Sequence, residues 1–399
     1  MPLFDILVAG TGPAGLSAAA ALARGGATVA LVGPGPRAAA PPDTRTAALF
    51  PGSLALLRHL GALQHLQGAT APLRGIRVVD DGEGLLRAPE VTFEAHEMGL
   101  DDFGANVPQQ ALGAALWLAV EACANVKSFA AQVIGLDQGA AHASVHLDSG
   151  ATLSARLVVA ADGRTSICRR LAGIDVDTWD YPQTAIAAQF SHSRPHHGIS
   201  TEFHRPSGPC TVVPMPGERS SLVWVERPAI AARLGKLDDI AFAGALEERL
   251  HGVLGRVSDV GVRRLFPLSG LKAETLGRNR VVLVGEAGHT LPPIGAQGLN
   301  LGFRDVAVLA DLVADARAKT EDTGGDALLA AYDTARRMDI TVRTTAVDLL
   351  NRSVLADLLP ADLARGLGLH MIGGLSALKR QVMRQGFEPA GTLPRLMRA

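Results

Sequence analysis

The stretch "FDILVAGTGPAGLSAAAALARGGATVALVG", residues 4–33, leaves few folds open. Its uninterrupted apolar runs read as strands buried on both faces, as in a parallel sheet. Between them Gly10-x-Gly12-x-x-Gly15 opens a small-residue helix that stops at Gly25-Gly26. Gly10 permits a tight turn, Gly12 lets the backbone approach a pyrophosphate, and Gly15 lets helix and strand pack closely. Pro13 and Ala14 suit the first helical turn, whose unpaired N–H groups and positive dipole end favour an anion. The plain alternative is a glycine turn in an ordinary α/β domain. A dinucleotide site usually has an acid at the end of the second strand, for the ribose. Here "VALVG" ends at Gly33, so the ribose contact comes from backbone or from elsewhere.

Two further apolar strands end in acids, "LVVAADGR" at Asp162 and "VVLVGEAG" at Glu286. Ligands collect at the carboxyl ends of parallel strands, where these acids would accept hydrogen bonds from the hydroxyls of a nucleotide cofactor. Helix capping is the alternative for each. After Glu286 runs "AGHTLPPIGAQGLNLGFRDVAVLADLV". Pro292-Pro293 stiffen the loop, and Gly295 and Gly298 let main-chain N–H groups approach a flat ligand. A helix then starts near Leu299 and Asn300 with its N-terminus aimed back at the site. That end stabilises negative charge, as on the pyrimidine edge of a reduced flavin, and Asn300 is expected to add a hydrogen bond there.

The region 182–270 has a different texture. "TAIAAQF", "TEFHR", "CTVVPM" and "SLVWVE" read as strands separated by Pro/Gly turns, followed by an amphipathic helix at 238–255. "SHSRPHHG" reads as a polar surface loop without the companion ligands of a metal site. Beyond about 326 the chain reads as helical. A net charge of -1 gives no electrostatic footprint for nucleic acid. Three cysteines at wide spacing, Cys123, Cys168 and Cys210, argue against a disulfide scaffold or a zinc site and for a reducing, cytoplasmic setting. No segment reads as a membrane span.

Together, "GTGPAG", "AADGR" and "GEAGHTLPPIGAQGLNLGFRD" resemble the FAD-dependent aromatic hydroxylases of the para-hydroxybenzoate hydroxylase type. "DTRTAALFPGSLALLRHLGA" and "AAYDTARRMDITVRTTAVDLLNRS" are similar to the ubiquinone-biosynthesis hydroxylases within that group. The resemblance covers nearly the whole chain. It implies an α/β fold with a Rossmann-like FAD-binding domain (1–75, 98–181 and 271–330), a mixed β-sheet substrate domain (76–97 and 182–270) and a C-terminal helical region (331–399). It also implies that Gly10, Gly12 and Gly15 bind the FAD pyrophosphate and that Asp162 is the acid associated with FAD and reductant. Glu286 stands where the family usually has Asp. Arg45 lies close to FAD, with a surface-loop arginine as its alternative, and Gln109 is a polar FAD contact before a helix.

Protein side chains cannot insert oxygen into an aromatic ring, so a cofactor must. The resemblance implies a monooxygenase that transfers oxygen from a flavin C4a-hydroperoxide to a polyprenylated phenol. O2 and NAD(P)H, or an electron-transfer protein, are the co-reactants. Other ubiquinone-biosynthesis proteins and the inner face of a membrane are the implied contacts, with the C-terminal arginine-bearing helices as docking candidates or simply a cap on the FAD domain. Hydroxylation of a small soluble aromatic, or reduction of an isoprenoid, keeps the cofactor and changes the chemistry. A non-catalytic flavin scaffold is the remaining alternative. The residues single out no catalytic base.

Overall fold

The computed structural model describes residues 3–35, 43–82, 89–355, 379, 381 and 392–398. The "AAAPP" run and most of the expected C-terminal docking region beyond 355 lie outside the described residues.

Leu3–Ala9 lies at the centre of the first sheet, between Thr152–Ala160 and Val29–Val32. Val281–Leu283 extends the sheet beyond Thr152–Ala160, and Val126–Phe129 extends it beyond Val29–Val32. All four of these pairings are parallel. Ile6, Leu7 and Val8 are completely buried, which stabilises the fold by about 1.5–3 kcal/mol per side chain. The register sets Ala9 beside Ala160 and Ala160 beside Leu283. Three strand ends therefore stop level, and the residues after them share one crevice. Val133–Gln138 and Ala143–Leu147 precede Thr152–Ala160 as an antiparallel meander.

Helix α1, Pro13–Arg24, covers this sheet with an alanine-rich face. Its small side chains allow close packing, and the three glycines at its start divide the steric work. A Cβ on Gly10 (φ 113°) would lie 2.1 Å from the Ala161 carbonyl oxygen, and one on Gly15 would lie 2.0 Å from that of Gly10. A Cβ on Gly12 would meet nothing within 4 Å.

The second sheet runs His289–Thr290, Arg264–Ala273, Val176–His192, Arg219–Glu226, Gly208–Met215, Ile199–Arg205, Gly75–Asp80, Val91–Glu94. Residues 75–80 and 91–94 thus join the strands of the 182–270 region. Helices α5 (Pro228–Gly235) and α6 (Asp239–Arg249) pack on one face through Ala231, Leu234, Phe242 and Leu246. The helix expected at 238–255 is shorter than its apolar pattern because Leu250 caps it and His251 takes a positive φ. His192, expected in a surface loop, belongs to the long Val176–His192 strand. Its buried ring bonds the Arg194 carbonyl and Ser220 Oγ.

Helices α7 (Gln297–Ala318) and α8 (Asp326–Leu355) pack on each other, α7 also on α1 and α8 on the Gly277–Arg278 strand at the edge of the first sheet. Helix α8 also reaches the second sheet: Tyr181 bonds Asp348, and Asn351 bonds Gln183. Among the described residues no helix is long and apolar enough to cross a membrane.

Candidate cofactor and substrate cavity

A cavity of about 610 Å³ lies where the two sheets meet, within the range of about 300–1,000 Å³ typical of ligand pockets. One wall is the crevice of level strand ends: Gly12, Pro13 and Ala14, then Ala161 and Gly163, then Val284, Gly285 and Glu286. The loop 291–299 and the extended segment Arg45–Ala48 flank it, with Gln109 at the start of α3 (Gln109–Glu121). The opposite wall is apolar: Leu73, Ile76, Phe93, Phe103, Val213 and Val223.

Two helix starts open on this cavity without a side-chain cap. The N-cap of α1 is Gly12 and that of α7 is Ala296, the latter held left-handed at φ 53°. Their first-turn N–H groups have no intrahelical acceptor, and both dipoles favour negative charge in the cavity. The open space over Gly12 is a cradle that any side chain would narrow. Gly298 also has nothing within 4 Å of its Cβ position. An elongated ligand with a pyrophosphate near α1 and a flat, electron-accepting ring near α7 fits these donors.

Most of the expected site residues line the cavity: Gly12, Pro13, Ala14, Arg45, Gln109, Glu286, Pro293, Gly295, Gly298 and Leu299. Gly10 and Gly15 shape the turn from behind. Arg45 is half exposed and bonded to Asp43 by Nε (2.9 Å) and Nη2 (2.7 Å). Its pKa is raised by that bond, against burial, with help from the Asp43 and Glu286 charges. Glu286 itself is exposed and has no hydrogen-bond or ion-pair partner among the described residues.

At two of the expected contacts the side chain is already bonded within the protein. Asn300 is buried and all of its hydrogen bonds are internal. Oδ1 accepts from Phe50 N (3.0 Å) and Ser53 Oγ (2.7 Å), while Nδ2 donates to the Ala48 (2.8 Å) and Ala296 (2.7 Å) carbonyls. Its amide fastens the Arg45–Ala48 wall to the start of α7. The Asp162 carboxylate meets the first turn of the short helix α4 (Ile167–Leu171), whose N-cap is Ser166. The carboxylate accepts from Ser166 Oγ (2.5 Å), Ile167 N (2.8 Å) and Cys168 N (3.1 Å). Its neighbours Ala161 and Gly163 line the cavity, and the Asp162 carboxylate is turned to these protein donors.

Gly33 has a steric cause. A Cβ there would lie 2.8 Å from Thr11 Cγ2 and 3.1 Å from Thr11 N. The acid usual at this position would press on the residue inside the glycine turn.

Behind the cavity lies a buried charge network that sequence reading missed. Asp305 accepts from Gly285 N (3.0 Å), His289 Nε2 (2.6 Å) and Arg336 Nε (2.7 Å). Asp339 takes Arg304, Arg336 and Arg343, and Arg343 reaches Gln297 at the start of α7. Burial raises the Asp305 pKa, but the His289 and Arg336 charges and bonds outweigh it, so the group is held below its usual range. Arginine and aspartate inside otherwise apolar helix patterns ("LNLGFRD", "ARRMD") were the available signal. Asn106, Ser200, Glu202 and Thr211, which also line the cavity, were missed too.

Residues 4–345 match the FAD binding domain family. The chain belongs to that family. It is an FAD-dependent monooxygenase, and FAD is the group the glycine cradle and the two helix starts would hold. Among its relatives, ubiquinone hydroxylase UbiL of Rhodospirillum rubrum is 37% identical, covering 99% of this chain and 92% of the relative. The 3-demethoxyubiquinol 3-hydroxylase of Escherichia coli is 29% identical over 95% and 97%. The solved structure of p-nitrophenol 4-monooxygenase PnpA from Pseudomonas putida superposes with a TM-score of 0.78 at 20% identity, covering 98% of this chain and 100% of that one. PqsL of Pseudomonas aeruginosa, in complex with 2-aminobenzoylacetate, gives 0.75 at 22%, over 89% and 97%.

Proposed function

We propose that this protein hydroxylates the aromatic ring of a polyprenylated phenol in ubiquinone biosynthesis. The observation that carries the reading is the continuity of the cavity: the anion-favouring helix starts and the apolar face of the second sheet line one space. A flat cofactor ring held at the first would face a greasy aromatic ring held at the second. The names of the relatives supply the pathway.

Bound FAD supplies the activation of O2 and the delivery of one oxygen atom; the chain supplies the rest. Backbone N–H groups at Gly12 and Gly298 bind and orient the cofactor. Glu286 would accept hydrogen bonds from its sugar-alcohol hydroxyls. Leu73, Ile76, Phe93 and Phe103 exclude water and hold the substrate ring in a reactive orientation. The electrons come from NAD(P)H or an electron-transfer protein. A polyprenyl tail would bring the protein to a membrane surface or to other proteins of the pathway.

The test is mass spectrometry of quinone intermediates in a strain lacking this protein. Accumulation of an under-hydroxylated prenyl phenol, cleared by restoring the gene, is the expected result. An unchanged quinone pool in a strain with no backup enzyme would remove the assignment.

A further inference from the structure

The Ile199–Arg205 strand puts a carboxylate, Glu202, into the cavity wall and an imidazole, His204, beside it. It pairs with Gly208–Met215, setting Glu202 opposite Thr211. Alternation sends Thr201 and Phe203 one way, Phe203 into the core with Phe242 and Leu246, and Ser200 and Glu202 the other way, into the cavity. Glu202 Oε1 lies 3.2 Å from His204 Nε2, and their side chains are only 14% and 13% exposed. Among the described residues His204 is the only ion-pair partner of Glu202. Ile76, Phe93, Val213 and Val223 line the same space. A carboxylate facing an apolar pocket is costly unless its remaining lone pairs find donors. One oxygen has His204, and the cavity is where a donor for the other would come from.

We infer that Glu202 accepts the phenolic proton of the bound substrate, with His204 as the residue that positions it through the Nε2–Oε1 contact. This rests on the hydroxylase reading above and adds the acid–base group that reading lacks. Oxygen is transferred to the ring as an electrophile, so the ring must be electron-rich. The substrate O–H bond breaks, a carboxyl O–H forms on Glu202, and the electron pair left on the phenolic oxygen feeds the carbon that is attacked. That carbon gains the new C–O bond and loses its hydrogen as a proton to the second oxygen atom of O2, the one that leaves as water, which restores aromaticity. The proton on Glu202 then returns to the phenolic oxygen. Overall the aromatic substrate, O2, NAD(P)H and one proton give the hydroxylated product, water and NAD(P)+. Base assistance of this kind is worth about 10²–10⁴-fold in rate.

Two readouts test the assignment on FAD-loaded full-length protein. In the first, 4-nitrophenol is the probe, and the visible band of its phenolate reports ionisation in the cavity. A carboxylate that accepts its proton also repels the phenolate, so wild-type protein holds the bound dye protonated to higher pH than Glu202→Gln does. In the second, Glu202→Gln binds FAD and accepts electrons at the wild-type rate but forms product at least about 100-fold more slowly. His204→Gln, which keeps an N–H near Oε1, retains more product formation than His204→Ala. Identical dye titrations for wild type and Glu202→Gln, or product formation by Glu202→Gln at the wild-type rate, would overturn the inference. Failure of wild-type protein to hydroxylate any prenylated phenol removes the hydroxylase reading instead, and the dye titration still decides on Glu202.

Discussion

Replacement of Asn300 separates two roles that its place in the glycine loop makes easy to confuse. If its amide serves the cofactor, Asn300→Ala weakens FAD binding and leaves the empty protein as stable as before. The structure argues the reverse. Four internal hydrogen bonds are lost, two accepted from Phe50 N and Ser53 Oγ and two donated to the Ala48 and Ala296 carbonyls. Ser53 Oγ can rotate toward another acceptor. Phe50 N–H is buried with the backbone around it, and a buried polar group left unpaired costs about 1–3 kcal/mol. With two or three such groups orphaned, the expected loss is about 3–5 kcal/mol, a large part of a typical stability of about 5–15 kcal/mol. Asn300→Asp is a sharper probe. It keeps both accepted bonds but sets a carboxylate oxygen against two carbonyl oxygens, so it should destabilise at least as much as alanine. The assay is urea unfolding of FAD-free protein, where no cofactor binding contributes to the midpoint, beside an FAD titration of each variant. Unfolding free energies within about 1 kcal/mol of wild type, together with a marked loss of FAD affinity, would refute the reasoning and return the amide to the ligand.

Gly33→Asp should not create a ribose ligand: the new Cβ would press on Thr11 at 2.8 Å, and the expected result is about 1–3 kcal/mol of destabilisation with weaker FAD binding, so tighter FAD binding in titration would contradict it. Asp305→Ala leaves His289 and Arg336 facing an empty buried site and should cost about 3–5 kcal/mol in urea unfolding. The folded-state pKa of Asp305 is depressed, so its stabilisation is present above the unfolded value of about 3.9 and is lost as pH falls through the folded one; wild type should lose more stability on acidification in that window than Asp305→Ala. Glu286→Gln should weaken FAD binding by about tenfold, or about 1.4 kcal/mol, with Glu286→Asp intermediate, and an unchanged affinity for Glu286→Gln would withdraw its cofactor role.

Much of this molecule could be read from the chain alone, because the signals were local. The apolar runs at 6–9, 157–160 and 281–284 are continuous because both faces of a parallel sheet are covered, and they form neighbouring strands. The spacing of Gly10, Gly12 and Gly15 is set by backbone sterics within a single turn, so its geometry is written into the motif. The same holds for the 291–296 loop, whose prolines and glycine allow little else.

What the chain could not disclose depends on groups that meet only after folding. Nothing near Gly33 in sequence says that Thr11 fills the space a side chain would need. Asn300 and Asp162 sit in motifs that suggest a ligand, yet their lone pairs and N–H groups were claimed by Phe50, Ser53 and the start of α4. The pairing of Asp305 with His289 and Arg336 joins positions up to 31 residues apart. The placement of Glu202 in the cavity wall depends on a sheet whose register long-range pairing alone decides. A side chain's type is fixed by the gene, but the direction it faces and the partner it finds are properties of the packed structure.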